Sequence, residues 1–121
     1  LARIRARLDR LVPPPVRPIP LLMGSGGERV GLRLVAENAQ AWNWFGTPEA
    51  WRAKSRVLDD WCARVGRDPG AIERSVLVSD PAALARVDEY VAAGCGHVIV
   101  GLAAPFDLAP VRGALARLGR G

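Results

Sequence analysis

Four small residues in a row, Gly24-Ser25-Gly26-Gly27, followed by Glu28 and Arg29, are the stretch whose types and spacing best suit chemistry. Glycine reaches positive φ freely and lets a ligand come close to the backbone. The run follows a short apolar stretch, Leu21-Leu22-Met23, and precedes a segment in which Leu32, Val35, Ala36 and Ala39 recur with helical period. A helix starting at about Glu28 leaves its first N–H groups unpaired and aimed back into the turn. Those donors, together with the helix dipole, favour an anion such as phosphate. The Ser25 hydroxyl is a further donor and Arg29 adds charge. The same residues also make a plain βα turn with no ligand. The pattern is neither the Rossmann G-x-G-x-x-G nor a phosphate-binding loop with its Lys.

Other reactive side chains are few. The only histidine, His97, precedes the apolar run Val98-Ile99-Val100, a place where residues serve stability. The two cysteines, Cys62 and Cys95, have no C-x-x-C partner, and one His completes no familiar zinc spacing with them, so no metal site is expected. Both read as reduced, half-buried core thiols of a cytoplasmic protein. Asn43 and Trp44 stand at the end of an apolar run, facing the same side as the glycines; packing is an equal reading for Trp44. Trp51 and Trp61, ten apart on one helix, read as packing. No catalytic residue stands out.

The elements that must position the turn follow in order. Leu1 to Leu11 reads as a short basic amphipathic helix, with Ile4, Leu8 and Leu11 on one face, whose end packs on the domain. Five prolines between Val12 and Pro20 keep that segment extended, a linker into the first strand at Leu21 to Met23. The second strand is Ala41 to Trp44. Thr47-Pro48-Glu49 starts a long helix with N-cap, N1 proline and first-turn acid in place, and Gly66 stops it near Val65. Its buried stripe is Trp51, Leu58, Cys62 and Val65. Asp68-Pro69 caps one short turn. Ser75 to Val78 is the third strand, apolar enough to be buried on both faces. Asp80-Pro81 opens a helix with Leu84, Val87 and Val91 inward. His97 to Gly101 is the fourth strand, and a helix from about Leu108 carries Val111, Leu115 and Leu118 inward. Strand and helix thus alternate four times, the pattern of an α/β fold with parallel strands. Four such units form either an open doubly wound sheet or half of a (β/α)8 barrel, whose phosphate sites often lie on late βα loops.

Composition narrows the class. The chain has 121 residues, enough for one domain with a real core, and half of it is hydrophobic. Residues 1–19 read as N-terminal helix and Pro-rich linker and 20–121 as the domain. No apolar run approaches a membrane span, and no signal peptide is visible. The first residue is Leu, so an upstream start is open. The net charge of +5 comes almost entirely from scattered arginines, with Lys54 the single lysine. No basic stripe with interleaved aromatics appears, so nucleic acid is not expected as a partner.

The order and spacing of these features resemble the luciferase-like flavin and deazaflavin oxidoreductases. The resemblance rests on Gly24, Gly26, Gly27, Glu28, Arg29, Leu32, Ala36, Ala39, Trp42 and Asn43, then on Gly66-Arg67-Asp68-Pro69 and on Gly94 to Gly101. It covers the chain from about Pro13 onward. It implies the C-terminal half of a (β/α)8 barrel that holds FMN or coenzyme F420 at the C-terminal ends of its strands and acts on a small-molecule substrate. By that likeness Gly24, Ser25, Gly26 and Gly27 contact the cofactor's phosphate region, mostly through backbone. Gly-Ser-Gly-Gly departs from the usual Gly-Gly-x-Gly, and Gln40 stands where an Asp is usual. The residues that cradle the cofactor ring lie largely in the half that is not in this chain. The expected function is therefore the C-terminal portion of a flavin- or F420-dependent oxidoreductase or monooxygenase. The alternative is a non-catalytic half-barrel that binds a phosphate-bearing ligand or a partner chain. A homo-oligomer or a separate N-terminal half would complete it.

Overall fold

Prolines and glycines set most element boundaries. The computed structural model describes residues 1–119, so the last two residues of the expected domain lie outside the described part. Helix α1 (Ala2–Leu8) is followed by the extended Pro-rich segment. Then come β1 (Leu22–Gly24), α2 (Gly31–Asn38), β2 (Ala41–Phe45), α3 (Pro48–Val65), β3 (Glu73–Val78), α4 (Pro81–Leu84), α5 (Val87–Ala92), β4 (His97–Val100) and α6 (Ala109–Arg117). Thr47 caps α3 by accepting the Ala50 N–H, and Gly66 ends it in the left-handed region at φ 70°, where a side chain would be strained. Asp68 and Asp80 cap the short helical turn at Pro69–Ala71 and α4 in the same way.

The four strands form one parallel sheet in the order β1-β2-β3-β4, with Met23 opposite Trp42, Asn43 opposite Ser75 and Val76 opposite Val98. This is an α/β fold of four βα units, half of a (β/α)8 barrel. Alternation along the strands splits the sheet into two unlike faces. Met23, Trp42, Val76 and Val78 point into the core beneath the helices. The other face carries Leu22, Phe45, Leu77 and Ile99, exposed by 56, 61, 38 and 37% respectively. The third strand is therefore covered on one face, not both, because every helix packs on the same side.

The core centres on aromatic rings. Trp42 and Trp51 lie 5.5 Å apart, and Tyr90 meets Trp51 edge-on at 6.4 Å. Each such ring takes about 150–250 Å² from water, roughly 4–6 kcal/mol gross at about 25 cal/mol per Å². Their polar atoms are satisfied: Trp51 Nε1 donates to the Ser75 carbonyl at 3.2 Å and the Tyr90 hydroxyl to the Gly46 carbonyl at 2.6 Å. Leu32, Val35, Ala36 and Ala39 are fully buried, as their spacing implies.

Four expectations fail for local reasons. The Asp80-Pro81 helix is two short helices, broken at Ala85-Arg86, where the Arg86 guanidinium binds Glu89 and Glu49. The break resets the phase, so Val87 and Tyr90 are buried and Val91 is exposed. In α3 the stripe is Trp51, Ser55, Leu58 and Cys62, and Val65 at the frayed end is exposed. In α6 Ala114 is buried and Leu115 exposed. Helix α1 buries none of its residues; its tie to the rest is a hydrogen bond from Arg5 Nη2 to the Asn38 carbonyl at 3.4 Å. No helix among the described residues is long and apolar enough to cross a membrane.

Candidate functional site

Parallel strands put all four C-terminal ends on one rim, and the glycine turn opens from the first of them. Gly24 ends β1; Ser25 to Val30 form the loop; α2 starts at Gly31. The helix thus begins three residues later than its sequence spacing suggests. Glu28 is pulled aside onto α3: its carbonyl accepts Trp61 Nε1 at 2.6 Å and its carboxylate accepts Lys54 Nζ at 2.6 Å. The Leu32 N–H reaches back to the Gly27 carbonyl at 2.8 Å, closing a loop wider than an α-turn.

None of Gly24, Gly26 and Gly27 sits at positive φ, so this turn needs glycine for close approach and not for handedness. At Gly26 an added Cβ would lie 2.7 Å from Trp44 Cε2, so the backbone rests close against the indole. Gly31 is equally tight against the Ser25 side chain. Gly24 and Gly27 are roomier, with nearest atoms at 3.9 and 3.7 Å. Trp42 Nε1 donates to the Ser25 carbonyl at 2.7 Å and pins the loop from below. Ser25 Oγ accepts the Gly27 N–H at 3.3 Å, which makes it a closing element of the turn.

What remains open is a set of donors. Among the described residues no protein acceptor takes the backbone N–H of Gly26, Glu28, Arg29 or Val30. Arg29 is exposed beside them and forms no ion pair among the described residues. Successive N–H groups with an adjacent guanidinium suit an anion with several oxygens. Lys54 stays near, tied to Glu28 and 5.5 Å from the Trp44 ring centre.

The other candidates fall into place around the turn. Asn43 lies on the bare sheet face, where its Nδ2 donates to Ser75 Oγ at 2.9 Å, and Ser75 Oγ donates to the Trp42 carbonyl at 3.0 Å. Trp44 packs, as the platform for Gly26. Gln40 lashes the start of β1: its Oε1 accepts the Leu21 N–H at 2.9 Å, a job a carboxylate could also do. His97 sits at the opposite end of the sheet from the rim, 3.5 Å from Glu73. Cys62 and Cys95 are free and buried, and burial pushes both thiols up. No metal-binding cluster exists among the described residues. Sequence reasoning missed Ser55, Arg74 and Asp59, a half-buried network in which Arg74 binds the Ser55 hydroxyl and carbonyl and the Asp59 carboxylate. It lies at the end of the sheet away from the rim and holds β3 to α3.

A hollow of about 270 Å³ lies farther along the same rim, between the ends of β3 and β4, lined by Val78, Leu84, Val100, Leu102 and Pro110 with Asp80 at its margin. A larger hollow, about 570 Å³, is a shallow surface between α1 and residues 15–19, away from the strand ends.

Solved structures share this fold, among them two F420-dependent enzymes. The coenzyme F420-dependent tetrahydromethanopterin reductase from Methanopyrus kandleri superposes with a TM-score of 0.58 at 12% identity, over 82% of this chain and 49% of that one. An F420-dependent secondary alcohol dehydrogenase, solved in complex with an F420–acetone adduct, superposes with a TM-score of 0.65 at 12% identity, over 86% of this chain and 49% of that one. At such identity the likeness is one of fold. The chain spans about half the length of the solved structures it matches. No protein-family model and no curated protein matches the sequence.

Proposed function

We propose that this chain is the C-terminal half of a luciferase-like oxidoreductase that uses coenzyme F420 or FMN. Gly24, Ser25, Gly26 and Gly27 form the turn against which the phosphate-bearing part of that cofactor rests. The observation that carries the reading is the set of unpaired N–H groups of Gly26, Glu28, Arg29 and Val30 in the loop after β1, with the Arg29 side chain beside them. These donors fit a phosphate: they are backbone groups already held in place by Trp42, Trp44 and Ser25, so binding orders little. The two solved structures named above are F420-dependent, which favours the deazaflavin over FMN.

The bound cofactor supplies hydride transfer. The residues of this chain would hold its phosphate-bearing part. Gly24 and Gly27 let the ligand approach the backbone, Arg29 balances phosphate charge, and Trp44 fixes the turn from behind. Ser25 acts through shape, since its oxygen is engaged by Gly27. The small-molecule substrate would rest on the same rim, toward the hollow at the ends of β3 and β4.

A second reading, a non-catalytic half-barrel that binds a phosphate-bearing ligand, shares this turn but not the preference for a flavin-like ring. Titration of F420, FMN and inorganic pyrophosphate against the wild type and Gly27→Val separates the two. Gly27 has room for a Cβ, so the variant keeps its fold while the added methyls crowd the approach. Binding of F420 or FMN well above pyrophosphate, weakened tenfold or more in the variant, is expected. Equal affinity of the two proteins for the cofactor, or a wild type that binds neither F420 nor FMN, would overturn the reading; binding of pyrophosphate alone would leave the second one.

A further inference from the structure

The hollow of about 270 Å³ at the C-terminal ends of β3 and β4 is built on the helix-covered side of the sheet. Val78 and Val100 stand opposite each other in the strand register, and both pack with the core under the helices. Leu84 of α4 and Pro110 of α6 add two further walls, and Leu102 comes from the loop after β4. Four elements of this chain therefore shape the hollow, on the side of the sheet away from its bare face. Proline fixes φ, and Pro81, Pro105 and Pro110 all stand in the lining, so little backbone is left to order when a ligand enters. An apolar cavity of about 150 Å³ takes a benzene molecule. This one has room for a ring with a short tail.

Charge narrows what that tail can be. The charged groups of the lining are Asp80 and Asp107, with no base among them. Each carboxylate is held in place through one oxygen: Asp80 Oδ1 accepts the Ala82 N–H at 3.0 Å, and Asp107 Oδ1 accepts the Ala109 N–H at 2.9 Å. Among the described residues the second oxygen of each has no donor, and neither residue forms an ion pair. The strand order puts β1 and β4 at opposite edges of the sheet, and the β1 end of the rim has the opposite sign, with its open N–H groups and the Arg29 side chain. An anion is thus drawn toward the glycine turn and repelled at the β3–β4 end.

We propose that this hollow binds a small apolar amine in its protonated form. The apolar part lies among Val78, Leu84, Val100 and Leu102, and the ammonium group meets the free oxygens of Asp80 and Asp107. The apolar walls supply the attraction, and the carboxylates choose between ligands of one shape. A neutral ligand fits the walls and gains nothing from the carboxylates, and an anion meets two like charges. As a binding site the hollow stands on its own walls and charges. As the resting place of an oxidoreductase's substrate it rests on the function proposed above, and it then names that substrate as an apolar amine.

Titration with benzylamine, benzyl alcohol and phenylacetate at neutral pH and low salt, followed on the methyl groups in ¹³C–¹H spectra, tests it. The three share a ring and differ in charge. The methyls of Val78, Leu84, Val100 and Leu102 should shift most. Benzylamine should bind about tenfold tighter than benzyl alcohol, phenylacetate should bind weakest, and the lead of benzylamine should shrink in salt. Asp80→Asn and Asp107→Asn keep the oxygen that accepts the backbone N–H and remove the charge. Each should cut that lead by about threefold and leave benzyl alcohol unchanged. Asp60→Asn, exposed on α3 and outside the hollow, makes the same change in net charge and should alter nothing. Equal binding of the three ligands, a lead that survives both Asn variants, shifts centred elsewhere, or no binding at all would overturn the proposal. If an Asn variant loses its helical circular dichroism, the order of ligands and the salt dependence of the wild type still decide. Benzylamine bound without affinity for F420 or FMN would sink the cofactor reading alone; the converse would sink this site alone.

Discussion

At the scale of single residues, the turn after β1 shows what glycine does there. Sequence spacing marked Gly24 to Gly27 as a place for an anion, and the proposed function keeps it there. The reason for the glycines was not legible. It lies in Trp44, eighteen positions on, whose ring occupies the space a Gly26 side chain would need. Gly26→Val should therefore destabilise the fold, by about 1–3 kcal/mol as overpacking does, whereas Gly27→Ala should cost under about 1 kcal/mol, since it meets ordinary contacts. Urea unfolding of the two variants checks this; similar midpoints would mean that Trp44 yields freely. The polar partners of Ser55, Asn43 and Gln40 were hidden for the same reason: each is set by a residue distant in sequence.

At the scale of elements, local signals read well wherever capping chemistry decides. The start and stop of α3 are written in Thr47-Pro48 and Gly66, and they stand where expected. Thr47→Ala should cost about 1 kcal/mol, the usual loss for an N-cap, measurable as a lowered thermal midpoint. Local reading failed at the break between α4 and α5. Arg86, at that break, reaches Glu49 on α3 and Glu89 on its own helix. The hydrogen bond from Arg86 holds the Glu49 carboxyl at about 2, below its ordinary 4.5, and lowers Glu89 too. A depressed carboxyl contributes stability above its unfolded value and loses it as pH falls through the folded one. The loss should run from about pH 4.5 down to about 2. These groups face water, so the effect is small and screened by salt. Glu49→Gln should flatten the acid limb of the thermal midpoint at low salt; identical slopes for variant and wild type would contradict the pairing.

At the scale of the whole molecule, the four βα units and their parallel order were legible because each strand and each helix carries its own period. That one sheet face is bare was not, since Leu77 and Ile99 look like core residues in sequence. On the proposed reading, a half-barrel holds a phosphate grip and part of a rim, and lacks the groups that would orient a cofactor ring. Orientation contributes about 7–11 kcal/mol in enzymes. The chain by itself should accordingly show no turnover with reduced F420 or FMN and a range of acceptors, and a rate in the ordinary range of about 1–10³ s⁻¹ would refute that. The glycine turn is tested most directly by following the backbone amides in ¹⁵N–¹H spectra during titration with F420 and with FMN. The largest shifts are expected at Ser25 to Val30, with Arg29 among them and the Glu73–His97 end of the sheet silent. Shifts centred elsewhere, or none with either compound, would contradict a cofactor grip at this turn.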